Sequence, residues 1–369
     1  MKETWVIKIG SSLVTKGSAG LNTKNIKAWT SQINELINNN INVILVSSGA
    51  IAAGMGRLGL SRRPTTSSQL QALAAIGQMN LVQAYEVAFK KYNILTAQML
   101  LTHEDLSNRK RYLNAKNTLN NLVKYNVIPI VNENDTVSTD EIKFGDNDTL
   151  ASLVANLCDA KSLVILTDQD GLYTDDPKIN KNAKLIKNIS VKDKNLNSYA
   201  RPSNNNLGRG GMVTKVLAAK KAAKSNTRTI ICNGSKKDIL IKIFEKNNSI
   251  GTTITNENMA VKSKKQWIAN SLKIKGNIVV DTGAAKIIKK SGKSLLPVGI
   301  KSISGNFQKG DLVAVCNSKK VEIACGLTNY DSKQLKKIIG KTTSEIRKEQ
   351  SMLDSDVVIH TDNMILSQY

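Results

Sequence analysis

Aromatic residues are scarce in this 369-residue chain: four Phe, three Trp and eight Tyr amount to 4%. That leaves few platforms on which nucleic-acid bases could stack. Histidine is nearly absent, with only His103 and His360, too few for a His-based triad with a metal site beside it. Each reads as a surface or packing residue. The four cysteines, Cys158, Cys232, Cys316 and Cys325, lie far apart or nine residues apart, with no C-x-x-C spacing. This argues against a disulfide framework or a zinc site and fits a reducing cytoplasm. Long apolar runs are missing too. Residues 43–46 and 127–131 are typical of the longest, whereas a bilayer span needs about 20 residues. Met1-Lys2-Glu3-Thr4 leads straight into an apolar strand, without the pattern of a signal peptide. The expectation is a cytoplasmic protein with no membrane association.

Lysine and asparagine are abundant. There are 44 Lys against 9 Arg, and 39 Asn, so a single Lys or Asn carries little information. The formal net charge is +24, which raises nucleic acid or an acidic surface as a partner. The excess is spread, however: residues 1–255 hold 34 basic and 19 acidic side chains, residues 256–369 hold 19 and 10. A solvated basic surface explains this better than one binding face. Hydrophobic residues at 41% and charged residues at 22% exclude a disordered or collagen-like chain. The length favours one large and one small domain.

Apolar runs rich in Val and Ile, at residues 5–9, 43–46, 127–131, 163–166 and 229–232, have the continuous character of buried parallel strands. Amphipathic stretches at 25–38, 69–91, 111–124, 149–158 and 212–224 lie between them. Alternating strands and helices predict a parallel sheet with helices on both faces. After Gly251 the texture becomes polar. From Leu272 short Gly-containing strands, at 277–281, 312–315 and 320–325, predict a small mainly-β domain. The expected organisation is a catalytic domain at 1–255, a linker at 256–271 and a second domain at 272–369.

Some motifs mislead. Gly54-Met55-Gly56-Arg57-Leu58-Gly59 matches G-x-G-x-x-G but lacks the preceding strand and the acid about 20 residues on that a dinucleotide site needs. Gly292-Lys293-Ser294 and Gly340-Lys341-Thr342 resemble the end of a P-loop, but Ile287 and Leu335 stand where the upstream Gly belongs. The informative residues cluster at strand carboxyl ends, where an open parallel sheet binds ligands. Lys8-Ile9-Gly10-Ser11-Ser12, Ser47-Ser48-Gly49-Ala50, Asn132-Glu133-Asn134-Asp135 and Thr167-Asp168-Gln169-Asp170-Gly171 each end a strand. Any one of them alone reads as a turn. Together they line one edge.

Lys8 interrupts the apolar run Trp5-Val6-Ile7-Lys8-Ile9. It either faces water on an edge strand or is aimed at an anion that offsets its burial. Gly208-Arg209-Gly210-Gly211 precedes Met212-Val213-Thr214-Lys215 at a helix start. Such a segment can cradle an anion or be an ordinary loop. Lys215 in a first helical turn opposes the helix dipole unless an anion sits there. Asp146-Asn147-Asp148 opens a helix expected from Thr149. One of these side chains can be the cap. The others could orient lysines, meet a metal or donate to a substrate carboxylate.

As an ordered set these motifs, with Phe144-Gly145-Asp146-Asn147-Asp148 and Gly210-Gly211-Met212-x-Thr214-Lys215, resemble the amino acid kinase family over essentially the whole chain. The tail, with Val280-Asp281-x-Gly283-Ala284 and Lys293-Ser294-Leu295-Leu296-Pro297-x-Gly299-Ile300, resembles a PUA domain. Arg209 departs from the family, which usually has a small residue there. The resemblance implies an α/β three-layer sandwich with a mainly parallel sheet, plus a small mainly-β PUA-like domain. It implies transfer of the γ-phosphoryl of ATP, with Mg²⁺, to the side-chain carboxylate of L-glutamate. The product would be L-glutamyl 5-phosphate, the first step of proline biosynthesis. Lys8, Lys215 and Asp148 are then the catalytic residues. Gly10, Thr167, Asp168, Arg209, Gly210, Gly211 and Met212 join the two lysines on the ATP side, with Gly10, Gly210 and Gly211 supplying N–H groups. Ser48, Gly49, Asp135 and Asn147 take the acceptor, Asp135 meeting its α-ammonium. Magnesium would sit mainly on phosphate oxygens. Proline as feedback inhibitor and a homo-oligomer, dimer or tetramer, also follow. The rivals are a family member with another acid substrate, and an RNA-binding protein that uses the PUA-like tail.

Overall fold

The computed structural model describes residues 2–16, 20–137, 147–177, 179–200, 211–245, 250–256, 274–291, 293–342, 345–346 and 356–367. The chain forms two compact units, Met1–Ala260 and Val261–Tyr369. Apart from Asn256, the expected linker at 256–271 lies outside the described residues.

The strands of the first unit are β1 (Glu3–Ile9), β2 (Ile41–Ser47), β3 (Thr96–Leu101), β4 (Ile128–Glu133), β5 (Ser162–Thr167), β6 (Asn188–Ser190), β7 (Arg228–Asn233) and β8 (Thr252–Thr255). They form one sheet in the order β3-β4-β2-β1-β5-β7-β8-β6. All pairs are parallel except β7 with β8. The helices are α1 (Ser11–Val14), α2 (Thr23–Asn38), α3 (Ala50–Arg57), α4 (Ser67–Lys90), α5 (His103–Ser107), α6 (Arg109–Lys124), α7 (Asn147–Leu157), α8 (Leu196–Tyr199), α9 (Met212–Ala223) and α10 (Ile239–Phe244). The architecture is the α/β three-layer sandwich expected.

Strand parity decides what each face carries. Trp5, Ile7 and Ile9 join a core with Ile26, Trp29 and Ile33 of α2, Leu81 and Tyr85 of α4, and Ile239 of α10. Each such side chain contributes roughly 1.5–3 kcal/mol by leaving water. Val6 and Lys8 point to the other face, where α7 packs on β1 and against α6 and α9. Helix α7 is buried on every side, Asn147 and Asp148 included, as its run of Leu, Ala and Val requires. Because β1 lies between β2 and β5, the edge-strand reading of Lys8 is excluded.

The second unit holds β9 (Gly276–Val280), α11 (Thr282–Ser291), β10 (Ile300–Gly305), β11 (Leu312–Cys316), β12 (Glu322–Leu327), α12 (Ser332–Ile338) and β13 (Met364–Leu366). Its sheet has the order β10-β9-β11-β12-β13. The core includes Ile278, Val280, Phe307, Val313, Val315 and Leu335, so this unit is mainly β as expected. No helix among the described residues is long and apolar enough to cross a membrane.

Several local expectations needed correction. The polar segment after Gly251 opens with a strand that its composition does not announce: Thr252–Thr255 is β8, antiparallel to β7. Strand β3 and helix α3 gave no clear sequence signal. The G-x-G-x-x-G decoy lies on α3 and the following turn, where its first glycine serves packing. A Cβ on Gly54 would fall 2.0 Å from the carbonyl of Leu73, and one on Gly77 of α4 would fall 1.8 Å from that of Ala50. Only glycines let α3 and α4 approach so closely.

Candidate active site

Chain direction across the sheet reverses around β1. The chain runs from β1 to β2 and on to β4 on one side, then returns to place β5 and β7 on the other. A crevice outside the carboxyl ends of the strands is where such a sheet binds ligands. Strand β1 carries Lys8 to that edge. Its carboxyl end is tied to both neighbours: Ser48 N–H donates to the Ile9 carbonyl at 3.2 Å and Gly10 N–H to the Leu166 carbonyl at 3.1 Å. The Gly10 amide is therefore engaged in the sheet, a correction to its expected role as a phosphate donor. Ser11 and Ser12, in the first turn of α1, are exposed.

On the α7 face, one carboxylate gathers two ammonium groups. Lys8 Nζ lies 2.5 Å from Asp148 Oδ1 and Lys215 Nζ lies 3.1 Å from Asp148 Oδ2. Lys8, Lys215 and Asp148 are 5%, 4% and 1% exposed, so three charges with a net of +1 sit almost out of water. The Thr214 hydroxyl is 2.7 Å from Asp148 Oδ2 and 2.8 Å from the Gly211 carbonyl. Its single proton favours the charged acceptor. Burial pushes the Asp148 carboxyl up, but Lys8 and Lys215, with hydrogen bonds from Lys8 and Thr214, outweigh it and hold the pKa down at about 2. Asp148 lies in the first turn of α7 and Lys215 in that of α9, whose N-cap is Gly211. Two helix N-termini add partial positive charge to the surplus cation. The cluster is built to receive an anion. Arg209 and Gly210, and with them the rest of the expected glycine loop, lie outside the described residues. Gly211 is exposed and Met212 opens α9.

On the β2–β4 side a second, uncharged network forms. The Asn147 amide lies 3.2 Å from the Ser47 carbonyl, 2.9 Å from Ser48 Oγ and 2.9 Å from Asn132 Oδ1. Two protons serve three acceptors, so one bond is shared. Asn147 is thus inside the helix, with its side chain turned to the strand ends rather than capping α7. Gly49, at φ +105, is the left-handed N-cap of α3, and a Cβ there would press on Thr15 at 3.3 Å. Asp135 lines a pocket of about 200 Å³ together with Gln78, Gln98 and Glu133. On the β5–β7 side, the Thr167 hydroxyl donates to Asp168 Oδ1 at 3.0 Å and Asp168 is exposed. Asn233 donates to Asp170 Oδ1 at 3.1 Å and Lys236 pairs with Asp170 at 2.9 Å, tying that edge to β7. These contacts, Lys236 foremost, hold the Asp170 carboxyl below the usual range.

A family model described as the amino acid kinase family matches residues 3–233, and one described as the PUA domain matches 276–349. This chain belongs to the amino acid kinase family. The kinase is 49% identical over 363 residues to the glutamate 5-kinase of Hydrogenovibrio crunogenus, covering 98% of this chain and 96% of that protein. It is 48% identical to that of Nitrosospira multiformis, at 98% and 97% coverage, and 47% identical to that of Nitrosococcus oceani, at 98% and 96%. Among solved structures, the UMP kinase of Ureaplasma parvum matches with a TM-score of 0.49 at 18% identity, covering 69% of this chain and 99% of that one.

In the kinase the structure brings together Lys8, Asp148 and Lys215 on one side of β1, and Ser48 and Asn147 on the other. The sequence motifs contain Ser47, Asn132 and Thr214 but assign them no role of their own, and Gln78 and Tyr85 fall in no motif. Asn132 had the strongest available signal, a buried polar residue ending an apolar strand. Gln78 and Tyr85 sit in a helix whose apolar spacing hides them.

Proposed function

We propose that this kinase transfers the γ-phosphoryl group of ATP to the side-chain carboxylate of L-glutamate, forming L-glutamyl 5-phosphate for proline biosynthesis. The observation that carries the reading is the pair of buried ammonium groups on Asp148, at the switch point of a fold whose relatives include glutamate 5-kinases at 47–49% identity. A carboxylate oxygen attacks the γ-phosphorus, the bond to the β-phosphate oxygen breaks, and ADP leaves. A glutamate side chain with a pKa near ~4.3 is already ionised at pH 7, so no general base is needed. The obstacle is an anion approaching a polyanion. Positioning and positive charge must supply the rate.

Lys8 and Lys215 meet the transferring phosphoryl from two sides. Asp148 holds both amines in place. With both its oxygens taken by ammonium groups, it leaves Mg²⁺ to phosphate oxygens and water, as suits that ion. Magnesium supplies further neutralisation of phosphate charge when bound. Ser11, Ser12, Gly211 and Met212 face the phosphates with backbone N–H groups, and Thr167 and Asp168 belong to the nucleotide side. Ser48 accepts from Asn147, which leaves its own proton to donate to the acceptor carboxylate. Gly49 shapes that turn, and Asp135 takes the α-ammonium. The arrangement of residues 1–255, 256–271 and 272–369 as catalytic domain, linker and PUA-like domain belongs to the same reading. So do a cytoplasmic setting, a homo-oligomer, and proline as an inhibitor that offers the acceptor side the same carboxylate chemistry as glutamate. RNA contact through the second unit rests on its basic excess and its match to the PUA domain.

The test is trapping of the acyl phosphate with hydroxylamine. Purified full-length protein with ATP and Mg²⁺ should form hydroxamate from L-glutamate and not from aspartate or N-acetylglutamate, and proline should suppress it. No hydroxamate from glutamate sinks the reading.

A further inference from the structure

Helix α4 is mostly apolar on its inward face, with Leu70, Leu73, Leu81 and Phe89 buried. Two buried polar groups interrupt that face at Gln78 and Tyr85, seven residues and so about two turns apart. Polar atoms in a core are costly unless a partner uses them. Each of these has a partner at the end of a site strand.

Tyr85 is wholly buried, and its hydroxyl lies 3.1 Å from Ser47 Oγ. Ser47 Oγ in turn donates to the Ser48 carbonyl at 3.1 Å. One hydroxyl carries one proton, so the Tyr85 O–H donates and Ser47 relays. Burial raises the phenol further above its already high range, so it stays a donor at all working pH values. Gln78 is 8% exposed, and its Oε1 accepts from the Asn132 amide at 2.7 Å. Asn132 Oδ1 then receives Glu133 N–H and the Asn147 amide, both at 2.9 Å. Gln78 Nε2 is buried without a hydrogen-bond partner among the described residues. Gln78 also lines the pocket shared with Glu133 and Asp135.

We propose that Tyr85 and Gln78 are positioning residues for the acceptor carboxylate: from one helix they hold the Ser47–Ser48 turn and the Asn132 side chain in the register that Asn147 bridges. This rests on the reading of Ser48 and Asn147 as acceptor-side residues. Neither α4 residue touches the lysine cluster in the contacts described, so their influence falls on one substrate and spares the other.

The experiment is steady-state hydroxamate kinetics on full-length Tyr85→Phe and Gln78→Met, which keep volume and remove the polar atoms. Loss of one neutral hydrogen bond scales to about a fivefold effect. Each variant should raise the glutamate KM about fivefold, with kcat and the ATP KM within about twofold of the parent. Tyr85→Phe should add nothing in a Ser47→Ala background, because it acts through that hydroxyl. A lowered melting temperature with an unchanged glutamate KM makes the residues purely structural and overturns the inference, as does a parallel loss in kcat and both KM values. Should Tyr85→Phe fail to fold, Ser47→Ala reads the same bond from its other end. Ser48→Ala separates the two levels. If it raises the glutamate KM while the α4 variants do not, only this inference falls. If it leaves that KM unchanged, the acceptor-side reading falls and takes the inference with it.

Discussion

Replacing Asp148 with Asn removes the one negative charge that lets two ammonium groups share a buried site. Lys8 and Lys215 approach its two oxygens at 2.5 and 3.1 Å. Without the charge, two cations within ~8 Å of each other repel by roughly 2 kcal/mol at an effective dielectric of ~20. Stripping one partner from a buried ion pair costs about 3–5 kcal/mol. Allowing for what Asn can still accept, Asp148→Asn should lose about 4 kcal/mol. That is a fall of roughly 10 °C in the melting temperature of a unit this size. The pH dependence gives a second handle. The carboxyl sits at about 2 rather than its usual 3.8, so its folded value is depressed. Its contribution, roughly 2 kcal/mol, is present above the unfolded value and lost as pH falls from ~5 toward ~2. The gap between parent and variant should therefore narrow by about 1 kcal/mol between pH 7 and pH 3. ATP should narrow it as well, because phosphate oxygens replace the missing anion. Hydroxamate turnover should fall about 100-fold as the amines drift from their aim. Thermal unfolding at both pH values reads all but the last. Equal melting at pH 7, or a gap that stays constant down to pH 3, refutes the reasoning.

Lys8→Ala and Lys215→Ala should each lower kcat by about 100- to 1,000-fold while glutamate still binds, checked by single-turnover hydroxamate formation and by calorimetric titration with glutamate. Thr214→Val deletes a hydrogen bond to a charged acceptor and should cost about 2 kcal/mol in denaturant unfolding, with a smaller kcat loss than either lysine variant. Gly77→Ala would put a methyl group 1.8 Å from the Ala50 carbonyl. The helices must separate, and destabilisation above about 3 kcal/mol is expected by urea unfolding. A Gly77→Ala protein as stable as the parent would show that the α3–α4 crossing yields more easily than the geometry allows.

Continuous apolar runs such as Trp5-Val6-Ile7, alternating with amphipathic helical stretches, make the first unit's core strands legible, because strands buried on both faces of a parallel sheet read that way. Strand β3 hid because an edge strand needs no continuous apolar run, and Thr96–Leu101 has little of one. Strand β8 hid because Thr252–Thr255 is polar and pairs at the sheet margin. The G-x-G-x-x-G decoy shows the reverse error, a motif whose first glycine, Gly54, answers a helix contact that no local pattern announces.

The order of motifs along the chain settled the family, the strand ends and the identity of the two lysines, because these depend on residue type and on spacing within a few residues. Tertiary structure alone decided three other matters. It placed β1 between β2 and β5 and so buried Lys8. It closed the 67 positions between Asp148 and Lys215 to a 3.1 Å contact. It also turned Gln78 and Tyr85 toward Asn132 and Ser47. Each depends on which faces meet across the sheet, and pairing at such separations is set by packing of whole elements rather than by any neighbouring residue.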